Sequence, residues 1–107
     1  MRKDWEYKQV YGQGIRLHGK GFSLIHCPNT LGRNRLGISI SGKIKGSVKR
    51  NRMKRIIRES FRLNRQIYPQ DADIVFTVRP DFVLNSPSAI NKAVALLMST
   101  AKGSHES

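Results

Sequence analysis

Apolar positions recur with two different periods along this chain, and the switches between them mark its elements. Residues 4–11 carry Trp5, Tyr7, Val10 and Tyr11 ahead of Gly12-Gln13-Gly14, which predicts a short amphipathic helix closed by glycine. Over residues 15–28 the period drops to two. Phe22, Leu24 and His26 fall on one side and Ser23, Ile25 and Cys27 on the other, the alternation of a strand. Asn29-Thr30-Leu31-Gly32-Arg33-Asn34 reads as a turn or hairpin loop, and Leu36-Gly37-Ile38-Ser39-Ile40-Ser41 alternates again as a further strand.

A helical period returns over residues 47–66, with Ser47 as the candidate cap and Met53, Ile57 and Phe61 at steps of four. Tyr68-Pro69 ends that helix. Residues 73–78 form a near-continuous apolar run, which predicts a strand covered on both faces and stopped by Arg79-Pro80-Asp81. Ser86-Pro87 opens a last helix, with Ile90, Ala93, Val94, Leu97, Met98 and Ala101 as its core stripe. The order is helix, strands, helix, strand, helix, and one sheet covered by helices is the simplest architecture for it. The 107 residues suffice for one domain, with an ordered core expected over about residues 4–101.

Charge changes the picture. Twenty Lys and Arg face seven Asp and Glu, a formal +13, and an excess of that size on a small domain points to a polyanionic partner. Nucleic acid, an anionic membrane and an acidic protein are the candidates. No stretch approaches the ~20 apolar residues of a membrane span, and the opening Met1–Lys8 segment is too polar for a secretory signal. Cys27 is the single cysteine, which excludes an intramolecular disulfide and a cysteine-based zinc cluster and fits a reducing cytoplasm.

Half of the basic residues fall within residues 43–66: Lys43, Lys45, Lys49, Arg50, Arg52, Lys54, Arg55, Arg58, Arg62 and Arg65. Glu59 is the only acid there. With Met53, Ile57 and Phe61 turned to the core, Lys54, Arg55, Arg58, Arg62 and Arg65 point broadly outward. A merely solvated face mixes signs to gain i,i+4 pairs, and here only Arg55–Glu59 and Glu59–Arg62 offer such support. Like charges so concentrated repel one another, a cost that nearby phosphates remove. Arginine outnumbers lysine from Arg50 onward, and its planar fork grips phosphate at two points and stacks on bases. The residues thus point to a binder of RNA or DNA.

The run Lys49-Arg50-Asn51-Arg52-Met53-Lys54-Arg55-Ile56-Ile57-Arg58-Glu59-Ser60-Phe61-Arg62 closely resembles the arginine-rich "RNR" signature of bacterial ribonuclease P proteins. Leu36–Ser41 is similar to the strand preceding that signature, Asp73-Ile74-Val75 with Arg79-Pro80 to the strand and turn after it, and Tyr7…Tyr11…Gly14 to an aromatic pair followed by glycine. The resemblance spans about residues 4–101. It implies a two-layer α/β (α+β) sandwich, with three helices and one mixed sheet of about four strands in the order α-β-β-β-α-β-α. The family's strand–helix–strand crossover is left-handed, against the usual preference.

It also implies a role: binding the ribonuclease P RNA and the single-stranded 5′ leader of precursor tRNA, while that RNA performs a Mg2+-dependent cleavage. The RNA-binding set carried over is Lys43, Lys45, Lys49, Arg50, Asn51, Arg52, Lys54, Arg55, Arg58 and Arg62. Tyr7, Tyr11 and Phe22 are expected to line the leader cleft between the first helix and the sheet. Ile25 departs from members with a third cleft aromatic, and Gly42 from a commonly basic position.

The residues build no nuclease centre of their own. His18, His26 and His105 are scattered, and Asp71 and Asp73 alternate at a strand start as in a turn. Three rivals follow from composition: a ribosomal protein; a DNA-binding regulator, disfavoured because strands rather than a short helix precede the basic helix; and a metal nuclease, which lacks ligands.

Overall fold

The computed structural model describes residues 4–106, with side chains described for 5–99, so that the side chain of His105 lies outside them. The elements are α1 (Asp4–Gln13), β1 (Ile15–His18), β2 (Phe22–Pro28), β3 (Arg35–Ile40), α2 (Ser47–Leu63), β4 (Ala72–Val78) and α3 (Pro87–Glu106), in the predicted order, and a 3-10 turn at Arg65–Ile67. The four strands form one mixed sheet in the order β1-β2-β4-β3. β2 is antiparallel to β1 and β4, while β3 runs parallel to β4, its connection through α2.

The two inner strands have both faces covered, which is why they read as nearly continuous apolar runs. Leu24, Ile74, Phe76 and Val78 pack with Met53 and Ile57 of α2 and with Ile90 and Val94 of α3. On the opposite face Ile25, Cys27 and Val75 pack under Val10 of α1, flanked by Tyr7 and Tyr11. Each fully buried Ile or Val contributes about 1.5–3 kcal/mol. One buried polar knot ties the helical layer: Ser60 of α2 lies 2.8 Å from the Tyr68 hydroxyl and 2.5 Å from Asn91 Oδ1 of α3. Burial pushes the Tyr68 hydroxyl up to about 12.

Several boundaries differ from the sequence expectation. The hairpin turn lies at Gly19-Lys20-Gly21, where Gly19 N–H donates to Phe22 O. The 29–34 segment instead carries the chain past β4 to β3. Asn29 shapes it, its Oδ1 accepting from Leu31 N–H and its Nδ2 donating to Arg33 O and Asp73 Oδ1. Ser47 does not cap α2. Gly46 stands at the N-cap with φ +94°, a conformation that favours glycine, and without a side-chain cap.

α2 stops at Leu63, short of residue 66, because Arg65 turns back. Its guanidinium donates to Asn34 O and Oδ1 and lies 4.8 Å from the Phe61 ring centroid. At the other end of the chain Ser86 caps α3 as expected, its Oγ accepting from Ala89 N–H. With no proline to stop it, α3 continues beyond residue 101.

Candidate nucleic-acid interface

The basic helix presents its charges as its periodicity predicts. Lys49, Asn51, Arg52, Arg55, Arg58 and Arg62 are exposed, Lys54 is half-buried, and Lys43 and Lys45 are exposed on the β3–α2 loop. Among the described residues, the one carboxylate paired with this helix is Glu59, with Arg62. That partnership holds Glu59 below the usual carboxylate range and raises Arg62. Among the described residues, Lys49, Arg52, Lys54, Arg55 and Arg58 have no carboxylate within ion-pair distance. Their mutual repulsion is uncompensated by those residues.

Arg50 differs from its neighbours. It is half-buried, and its Nη1 donates to Ser41 O at 2.9 Å and Ile44 O at 3.1 Å, so it braces the loop leading into the helix. Sequence counting alone treats it as one more cation.

The second region is the sheet face under α1, where strand register lines up three rows of side chains. In the first row Arg35 of β3 sits beside Asp73 of β4. Arg35 Nη2 lies 2.9 Å from Glu6 Oε2 and 2.7 Å from Asp73 Oδ2, which fastens the first turn of α1 to the sheet edge. The hydrogen bond to Asp73 is the main cause of a raised Arg35 and a lowered Asp73.

The second row runs Arg16, Ile25, Val75, Gly37 across β1, β2, β4 and β3. α1 lies along it, with Tyr7 at one end and Tyr11 at the other. Tyr7 sits directly on Gly37: a Cβ there would stand 2.7–2.8 Å from the phenol. Tyr11 is half-buried, with the Arg16 guanidinium 5.7 Å from its ring centroid. The third row, His18, Ser23, Thr77 and Ser39, is polar throughout and lies one pleat beyond the apolar cluster that α1 covers. Arg79 Nη1 donates to Ser23 Oγ at 2.8 Å, and His18 Nδ1 lies 3.1 Å from the same oxygen.

Tyr7 and Tyr11 therefore sit where α1 meets this face of the sheet. Phe22 does not. It is 2% exposed on the opposite face, stacked on Phe76 with ring centroids 5.0 Å apart and edge-on to Phe82. The reason is parity: Phe22 shares a face with Leu24, whereas Ser23 and Ile25 face α1. Gly37, Arg16, Arg35 and Arg79 were not assigned to the site from sequence. The strand alternation carried their facing, but the row that joins them exists only once β4 lies between β2 and β3.

The third row lies at the C-terminal ends of β3 and β4, the same end of the sheet from which the Lys43–Lys45 loop leads into α2. This polar row and the basic helix thus share an end. Among the described residues, no group of three or more His, Cys, Asp or Glu side chains is arranged to hold a metal, and Asp73 is already engaged by Arg35 and Asn29. None of the described helices is long and apolar enough to cross a membrane.

Comparison with known proteins agrees with this geometry. The sequence model of the family Ribonuclease P matches residues 1–102. The chain is 58% identical over 103 residues to the ribonuclease P protein component of Desulfotalea psychrophila, an alignment covering 96% of this chain and 86% of that protein. The Staphylococcus aureus RNase P protein superposes with a TM-score of 0.79 at 27% identity, over 95% of this chain and 94% of the other. The Thermotoga maritima RNase P protein, solved with 1-(4-fluorophenyl)-2-thiourea, gives 0.80 at 27% identity, over 92% and 96%. With the family match across nearly its whole length and the same mixed sheet under the same helices, this chain belongs to the ribonuclease P protein family.

Proposed function

We propose that this ribonuclease P protein component acts in the bacterial cytoplasm by binding two RNAs at once: the ribonuclease P RNA through α2 and the 5′ leader of precursor tRNA through the cleft. The RNA subunit cleaves the phosphodiester with Mg2+ that it holds itself, and the polypeptide supplies no catalytic group. The observation that carries this reading is the set of cations on α2 without carboxylate partners among the described residues, beginning at the end of the sheet where the polar third row lies. Phosphates are the counter-charge such a face requires, and their binding releases condensed counterions.

In the cleft, Tyr7 and Tyr11 offer rings on which single-stranded bases stack irrespective of sequence, which suits leaders that vary. At the third row the exposed His18 adds an imidazole that hydrogen-bonds ribose or phosphate, positioned by the buried Ser23 hydroxyl. By neutralising repulsion between substrate and catalytic RNA, the chain lowers the magnesium concentration at which the two associate.

The test is cleavage of a precursor tRNA by a bacterial ribonuclease P RNA at limiting magnesium, with and without this chain. Restored cleavage at the mature 5′ end is expected, and so is loss of that effect when Arg52 and Arg55 are both changed to Glu. Binding to both RNAs with no change in cleavage would refute the processing role and leave a structural RNA binder of the ribosomal kind.

A further inference from the structure

Three arginines face the cleft from the sheet side, and their commitments differ. Arg35 is held by Glu6 and Asp73. Arg79 donates to Ser23 Oγ and Gly19 O and lies 3.9 Å from Asp81. Arg16 is exposed, and among the described residues its one partner is the Tyr11 ring. A guanidinium against a ring uses its flat face and leaves its five N–H donors aimed outward around the edge. Beside it on β2, Ile25, its register partner, is fully buried and offers a passing base nothing.

We propose that Arg16 is a leader-contacting residue: propped by Tyr11, its guanidinium takes a phosphate of the single-stranded 5′ leader at the β1 end of the cleft. This rests on the leader reading above and extends it to a residue outside the arginine-rich helix. Tyr11 restrains the long Arg16 side chain, so less rotamer freedom is lost when it grips a phosphate. The strand also sets a direction. His18 follows two residues later on the same face, beside Ser23 and Arg79, so a leader entering past Tyr11 and Arg16 continues along the polar third row. A purely structural Arg16, pinning α1 to β1, would contribute to folding and be indifferent to whether the tRNA carries a leader.

The experiment compares holoenzymes assembled from ribonuclease P RNA and wild-type, Arg16→Ala, Arg16→Lys or Tyr7→Ala protein, measuring affinity for one tRNA with and without its 5′ leader across a salt series. Arg16→Ala is expected to weaken precursor binding by about tenfold or more, as for one lost charged hydrogen-bonding contact, and to leave mature-tRNA affinity unchanged. The slope of log K against log salt for the precursor should fall by about 0.7, the value for one single-strand phosphate. Arg16→Lys should keep the slope and recover part of the affinity. If Tyr7→Ala weakens precursor binding selectively and Arg16→Ala does not, the Arg16 assignment is wrong and the cleft reading survives. If neither variant distinguishes precursor from mature tRNA, both fall.

Discussion

Adding one methyl group at Gly37 tests the architecture of the cleft more directly than removing a ring. The new Cβ would stand 2.7 Å from Tyr7 Oη and 2.8 Å from its Cε1 and Cζ, so the phenol must leave its seat. Gly37 lies mid-strand in β3, paired with Val75, where alanine's backbone is unstrained and is favoured over glycine by about 0.5–1 kcal/mol. Overpacking costs about 1–3 kcal/mol. Gly37→Ala should therefore destabilise by roughly 0.5–2 kcal/mol, lowering the melting temperature of a domain this size by several degrees. In a Tyr7→Ala background the clash is gone, and the same substitution should instead stabilise by about 0.5–1 kcal/mol. Urea unfolding of the four proteins in a double-mutant cycle measures the coupling, expected at about 1–3 kcal/mol. Precursor affinity should fall in Gly37→Ala and not fall further in the double variant, while ribonuclease P RNA binding through α2 stays constant. A cycle that closes additively would refute the placement of Tyr7 on Gly37 and with it the ring-bordered cleft.

The cations of α2 should separate by assay. Arg50→Ala should cost about 1–2 kcal/mol in urea unfolding, because the Ser41 and Ile44 carbonyls lose a charged donor. Arg52→Ala and Arg55→Ala should change stability by less than about 0.5 kcal/mol, yet each should lower the salt slope of RNA binding by about 0.9 for a helical phosphate contact. In the Ser60–Tyr68–Asn91 knot, Ser60→Ala leaves two groups unpartnered and should cost about 2–3 kcal/mol. Tyr68→Phe leaves Ser60 with Asn91 and should cost about 1 kcal/mol, so equal losses would contradict the central place of Ser60. Asp73 is held below its ordinary value of 3.8 by Arg35, so its stabilisation is complete above that pH and is lost as pH falls through the lowered value. Unfolding free energy measured between pH 5 and pH 3 should decline more steeply for wild type than for Asp73→Asn.

The elements were legible because each obeys a local rule. β2 and β4 alternate or run apolar, α2 keeps Met53 and Ile57 on one stripe, and Ser86-Pro87 is a helix start in any context. The arginine-rich run was legible for the same reason, being contiguous. What stayed hidden depends on pairings across long stretches of chain. Phe22 and Tyr7 are both aromatic residues near the predicted cleft, and only the placement of α1 over the Ile25 face and of α2 and α3 over the Leu24 face separates a core ring from a cleft ring.

The arginines show the same division. On sequence alone Arg50, Arg52, Arg55 and Arg58 are alike, and Arg16, Arg35 and Arg79 are stray charges. Folding commits Arg50 and Arg65 to carbonyls and Arg35 to carboxylates, with partners up to 38 positions away. It leaves Arg52, Arg55 and Arg58 along one helix and Arg16 beside one ring without such partners among the described residues. A net charge of +13 therefore overstates the charge free to meet phosphate, and the functional surface is the remainder once the structural arginines are set aside. Within that remainder, Arg52, Arg55 and Arg58 lie on the outer face of α2 and Arg16 lies beside Tyr11 on the α1 face of the sheet, apart from the exposed Lys8, Lys20, Arg33 and Lys92. A single RNA-binding patch would not require this division, whereas the proposed holding of a catalytic RNA and its substrate's leader together accounts for it.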